Sequence, residues 1–248
     1  MLFLTIPVLL ISCAKRFGTG VGQTAWYFSR CGTSYLYQQM PDTSNVPSRY
    51  LVELQQKNFL SKTAELKKIN EEYAGTRLPP EVEVKILKNG VEGFKKVQIL
   101  QGPLKGTKGW IDSLYDISRE YGKFYILFLG TPEDKKKSDA AVFKTAETSD
   151  ISIQDVLSSQ HYRKYVAAPV RWEGEVIGIK QKHNFMSIQL KSINVGRNFH
   201  FDADYQGSGN FELHSHLVVF GRILSFLNPR AQKEAAVIPI VAAVKIQQ

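Results

Sequence analysis

The sequence predicts a mainly β protein, built as two small β-barrel-like modules with one N-terminal amphipathic helix ahead of them and a short linking helix between them. Three observations predict it. Apolar residues alternate at period two through 82–86, as a half-buried strand requires, and the apolar-rich runs 94–100 and 170–179 read as further strands. Turn signals punctuate these runs at short intervals, among them Asn89-Gly90, Gly102, Gly106, Gly109, Gly207 and Gly209. Sustained helical spacing is confined to 48–74, with a shorter stretch at 151–166.

Composition supports a folded core. The chain has 248 residues, 43% hydrophobic and 22% charged, which is not a disordered composition. A formal net charge of +9 makes anionic partners, nucleic acid among them, worth testing. Along the chain that excess is thin: +3 over 13–75, +2 over 76–120, zero over 121–150 and +4 over 151–248. A dedicated nucleic-acid binder concentrates its basic footprint in one module, so the spread favours an ordinary basic protein. The two cysteines, Cys13 and Cys31, do not form a zinc-spaced set.

The chain opens with an uncharged apolar run, Leu2 to Ile11, followed by Ser12 and Cys13 and then by Lys15 and Arg16. Crossing a bilayer takes about 20 apolar residues. This run is far shorter and has the length of a signal-peptide h-region, so 1–12 is expected to be a signal peptide. Leu10-Ile11-Ser12-Cys13 resembles the lipobox of bacterial lipoproteins. The resemblance implies cleavage before Cys13, a diacylglyceryl group on its sulfur, and Cys31 left as an odd thiol. Two acyl chains give stable anchoring. The same resemblance implies a cell-envelope location, at the outer membrane where one exists, because Ala14 replaces the Asp associated with inner-membrane retention. The competing reading of 1–12 is a buried apolar strand or helix opening a cytosolic domain.

Residues 13–47 are rich in Gly, Ser, Thr, Tyr and Pro and are expected to form a tether, with a short aromatic strand at Ala25-Trp26-Tyr27-Phe28. Gly18, Gly20 and Gly22 have phosphate-loop spacing but lack the strand before and the Gly-Lys-Ser/Thr after. An amphipathic helix is expected over 48–75. Ser48 can cap it, Leu51, Leu54, Leu66, Ile69 and Tyr73 share its apolar face, and Gly75 stops it.

The first β module is expected over 76–130. Val82, Val84 and Ile86 alternate, Asn89-Gly90 turns the chain, and Phe94 to Leu100 returns it. Val97-Gln98-Ile99, then Gly102, Gly106 and Gly109-Trp110-Ile111, resemble bacterial SH3-like domains over about 78–118. In that family the Gly-Trp pair is largely a folding feature, so Trp110 is expected as core or groove floor, with a ligand-binding role as the alternative. Tyr125 to Leu129 reads as a further buried strand. The run Lys135-Lys136-Lys137 among acidic residues reads as a solvated linker over 131–150.

Residues 151–248 are expected to form the second module. A short helix is entered from Asp150, and five strands follow: 170–179, 185–193, 198–205, 216–223 and 237–246. Trp172-x-Gly174-x-Val176 and Val219-x-Gly221-x-Ile223 resemble the OB-fold barrels of periplasmic and lipoprotein domains. That fold binds oligonucleotides or oligosaccharides on its second and third strands. The resemblance places Phe185, Arg197, Phe199 and Phe201, with Lys191, as ligand-binding candidates.

Catalytic chemistry is sparse. His214 and His216 at i, i+2 would share one face of a strand and, with His200, are weak candidates for a metal site. Asp202 and Asp204 have the same spacing and are expected to be solvated. The chain has no nucleophile elbow, phosphate loop or cofactor motif. The expectation is therefore a lipid-anchored envelope protein without cofactor or catalysis, acting as a binding or scaffolding module for protein, peptide or glycan. The alternatives are an OB-fold protein holding single-stranded nucleic acid, the less favoured ligand, and a metal-dependent enzyme built on His200, His214, His216 and Asp202.

Overall fold

The computed structural model describes residues 20–30, 34–42, 63–91, 93–119, 121–182, 185–193, 199–207, 209–227 and 237–248. The expected signal peptide, Cys13, Cys31, residues 48–62 of the expected helix and Arg197 lie outside them, as does the side chain of Phe185. The described strands form two assemblies, an eight-stranded sheet and a closed five-stranded barrel.

The sheet holds β1 (Thr24–Ser29), β2 (Ser34–Tyr37), β3 (Gly75–Leu78), β4 (Glu81–Asn89), β5 (Phe94–Ile99), β6 (Lys108–Asp112), β7 (Leu114–Arg119) and β8 (Gly122–Gly130). Their spatial order is β3-β2-β6-β5-β4-β1-β8-β7, so the first strand of the chain lies between β4 and β8. Thr24–Ser29 and Ser34–Tyr37, expected within a tether over 13–47, thus pair into the same sheet as the strands of the module expected over 76–130. Ala25 and Tyr27 alternate into the core while Trp26 points to the other face, which makes this stretch a structural strand. The expected strand Tyr125 to Leu129 lies within β8, and β7, its hairpin partner, is an addition to the expectation. Helix α1 (Thr63–Glu72) precedes β3, and Ile69 with Tyr73 cover Tyr37 and Phe94 on one face of the sheet.

Residues 131–150 are not a solvated loop. They form α2 (Pro132–Glu147), and the local chemistry dictates it. Thr131 caps the helix, its Oγ1 accepting from the Asp134 amide at 3.1 Å, while the Asp134 carboxylate accepts from the Thr131 amide at 2.9 Å. Pro132 stands in the first turn, where its missing N–H costs nothing. The apolar face is thin, with Val142 and Ala146 buried, and this hid the helix among the lysines. Lys135 is drawn to Asp139 and Glu81. The short helix beyond is α3 (Ile153–Ser158), capped by Ser152 rather than entered from Asp150, followed by a 3-10 turn over Tyr162–Tyr165.

The barrel comprises β9 (Pro169–Lys182), β10 (Phe185–Ser192), β11 (His200–Tyr205), β12 (His216–Leu227) and β13 (Ile238–Gln247). It closes in the order β10-β11-β13-β12-β9, with β11 and β13 parallel and the other pairs antiparallel. Trp172, Leu190, Phe201, Leu217 and Val219 fill it, and Ile153 and Val156 of α3 close one end. The Trp172 indole donates to the Ile151 carbonyl at 2.8 Å. Gly174 lets Phe201 in: a Cβ there would stand 2.9 Å from Leu190 and 3.1 Å from the Phe201 ring. Gly221 sits at a bulge where the carbonyl of Ala242 leaves no room for a side chain.

Sheet and barrel share a core. Val84, Ile86, Val97 and Leu127 of the sheet lie in one buried cluster with Leu224, Ile240 and Ala242 from the outside of the barrel and Val142 of α2. Two buried arginines flank Phe124 of β8 in this region. Arg30 pairs with Asp139 at 2.5 Å, donates to the Tyr125 carbonyl, and stands 5.6 Å from the Phe124 ring centroid. Arg222 donates to the carbonyls of Tyr121 and Ala167 at 2.8 and 2.9 Å. Burial lowers its pKa below the usual arginine value. Gln206 adds a bond from its side-chain amide to the Ser29 carbonyl.

Candidate binding surfaces

Register across the barrel assembles its most chemically varied surface. His216 of β12 pairs with Glu175 of β9, Glu175 with Lys191 of β10, and Lys191 with His200 of β11. Residues directly opposite in a sheet share a face. The adjoining Val176 and Leu190 point into the core, so this row points out. His214 joins from the turn entering β12, with its Nδ1 2.7 Å from Glu175 Oε1. Its backbone has φ of +66°, and its amide donates to the Val176 carbonyl at 2.9 Å. The hydrogen bond with His214 holds the Glu175 carboxyl below its ordinary pKa, against desolvation, with help from the charges of His214, Lys191 and His216. Ile177, Ile193 and Leu213, all exposed, stand within three residues along the chain of the row or of His214. Ile177 is the unpaired residue of a bulge, because Leu190 faces Val176 and Gln189 faces Gly178.

The imidazoles are thus gathered around a carboxylate and an ammonium. His214 lies in a turn, so it does not alternate with His216 along a strand. Lys191 stands between Glu175 and His200. Among the described residues no group of three or more His, Cys, Asp or Glu is placed to hold a metal ion.

The other candidates are distributed differently from the sequence expectation. Phe201 is fully buried in the barrel core, in an edge-to-face contact with Trp172 at 5.3 Å, and is not a ligand-stacking residue. Phe199 is partly buried against the same core. Asp202 and Asp204 are not solvated; they are 6% and 5% exposed and lie on the opposite side of β11 from Phe201 and Ala203. Their neighbours across β13 are Ile240 and Ala242, both part of the core shared with the sheet. The shared core therefore covers the outer side of β11 beside β13. Trp110 is partly buried beside Tyr37 and Phe94, with the Lys96 ammonium 5.8 Å from its ring.

A second surface escaped the sequence reading. On the sheet face opposite the shared core, β4, β5 and β6 line up Lys85, Gln98 and Lys108 in one row and Lys88, Lys96 and Trp110 in the next. The signal was present: with Val84, Ile86, Val97, Ile99 and Ile111 buried, the alternate positions must face the other way. Only the strand pairing brings them together. Among the described residues no helix is long and apolar enough to cross a membrane. Comparison of the chain with family models, with curated proteins and with solved structures gives no match.

Proposed function

We propose that this is a lipid-anchored protein of the bacterial envelope, held through Cys13, that binds a protein, peptide or glycan without catalysis. The anchor rests on Leu10-Ile11-Ser12-Cys13 behind its apolar leader. The binding role rests on the barrel. Its closed order of first, second, third, fifth and fourth strand, with the third and fifth parallel, supports the OB-like reading, in which ligands meet the second and third strands.

The observation that carries the reading is the row His216, Glu175, Lys191 and His200 with His214 beside it. One carboxylate, one ammonium and three imidazoles, near exposed Ile177, Ile193 and Leu213, suit a partner of mixed polarity. A single-stranded nucleic acid wants exposed aromatics among cations. Here Phe201 is in the core and the row carries a carboxylate, Glu175, beside its one ammonium.

Two measurements test it. Palmitate incorporation and membrane fractionation should both depend on Cys13; label that survives Cys13→Ala sinks the anchor. Soluble peptidoglycan fragments titrated into the full chain should perturb the Glu175–Lys191 region, with binding weakened about tenfold by Lys191→Ala. Tighter, steeply salt-dependent binding of oligo-dT at the same row would favour the nucleic-acid reading instead.

A further inference from the structure

We propose that the lysine-bearing face of β4, β5 and β6 is an anionic-phospholipid-binding surface that lays the protein on a membrane. The inference deepens the anchored reading and rests on it for one point only, the nearness of that membrane.

The surface is a compact grid. Strands lie about 4.8 Å apart and alternate residues about 6.8 Å apart. Lys85, Lys88, Lys96 and Lys108 therefore start from a patch roughly 10 by 7 Å across at the backbone. Among the described residues none of the four pairs with a carboxylate; Lys96 contacts the Trp110 ring and the other three are exposed. The adjacent carboxylate on β4, Glu83, accepts from the Gln101 side-chain amide at 3.1 Å. Four cations this close, with no carboxylate partner among the described residues, repel one another, an arrangement suited to a surface of opposite charge.

The neighbours of the grid decide which anion it fits. Val91, 52% exposed, sits in the hairpin just beyond Lys88. Val21, 54% exposed, sits in the turn before β1, where Gly22 and Gln23 hydrogen-bond to Ile86. Gly90 lies so close over Trp110 that a Cβ would stand 2.7 Å from the indole. Exposed aliphatics at the tips, an indole beside them and flexible ammonium groups around them match the layered chemistry of a membrane interface. A linear polyanion would have no use for the two valines. Val21 is also only eight residues from Cys13, a span of at most about 29 Å. An acylated Cys13 would hold this end of the sheet at the bilayer.

The test uses the full chain and vesicles of phosphatidylcholine alone or with 30 mol% phosphatidylglycerol. Any apolar leader contributes equally to both, so the difference between them reads the patch. We expect binding about tenfold or more tighter to the anionic vesicles, lost in high salt. The combined variant Lys85→Gln, Lys88→Gln, Lys96→Gln, Lys108→Gln should lose the preference with an unchanged melting temperature. A charge-matched variant, Lys136→Gln, Lys137→Gln, Lys144→Gln, Lys180→Gln, should keep it. No preference in the parent chain, or equal loss in both variants, overturns the proposal. Displacement from anionic vesicles by equimolar oligo-dT also overturns it, in favour of nucleic acid. Palmitate labelling at Cys13 is scored separately: its failure removes the anchor while the vesicle comparison still judges the patch.

Discussion

The guanidinium of Arg222 lies 5.8 Å from the ring centroid of Phe124, so that a strand of the barrel and a strand of the sheet meet through one cation and one ring. Arg30 approaches the same ring at 5.6 Å. Arg222 is 7% exposed, and its fork donates to two backbone carbonyls and to Thr145 Oγ1.

This contact makes Arg222 a sensitive point of the junction. Arg222→Met keeps much of the side-chain volume but strands the carbonyls of Tyr121 and Ala167. A loss of about 1–3 kcal/mol in chemical unfolding is expected. Unchanged stability would mean that the carbonyls find water instead. Phe124→Ala should cost more, about 3–5 kcal/mol, through lost burial and the cavity left.

Helix α2 should be sensitive at its cap. Thr131→Ala removes the acceptor for the Asp134 amide, and a loss of about 1 kcal/mol is expected. Restoring a hydroxyl with Thr131→Ser should recover most of it. Thermal melts of the two variants side by side check the assignment, and equal melts would refute it.

At Gly221 the opposing carbonyl of Ala242 forbids a side chain. Gly221→Ala should cost about 1–3 kcal/mol as β12 and β13 move apart. Amide exchange should rise first along that strand pair; protection equal to the parent along both strands would count against it.

Glu175 should show a specific pH dependence. Its folded carboxyl is lowered, chiefly by the His214 hydrogen bond. Its contribution to stability is then present above the ordinary carboxylate range and is lost as pH falls through the lowered folded value. His214→Asn removes the imidazole while tolerating the positive φ, and should return the carboxyl towards its ordinary value. Carbon-13 carboxyl titration followed by NMR reads this directly; identical titration in both proteins would show that His214 is not the cause.

Part of this structure was legible in the chain. Val82, Val84 and Ile86 were read as buried from alternation alone, and all three are buried in the sheet. The five strands after Pro169 were placed within a few residues, because Gly174, Gly221 and the turn glycines leave few alternatives. The aromatic stretch at 25–28 reads as a strand within a tether from the sequence alone, because its partners β4 and β8 lie more than fifty residues away. Helix α2 was missed because two buried residues make too thin a stripe to stand out from five lysines and acids at its start. Phe201 and Phe199 alternate in sequence as ligand-facing residues would, yet which face is inside depends on how the barrel closes.

The division follows a physical line. Alternation, caps and turn glycines act between residues near in the chain, so the sequence by itself determined a mainly β protein, the strands of its second half and the two sides of each strand. Which strand lies beside which is decided by pairing between distant segments and by the burial that rewards it. Only that tertiary pairing set His216, Glu175, Lys191 and His200 in one row, sank Asp202 and Asp204, and gathered an evenly spread positive charge into four neighbouring lysines.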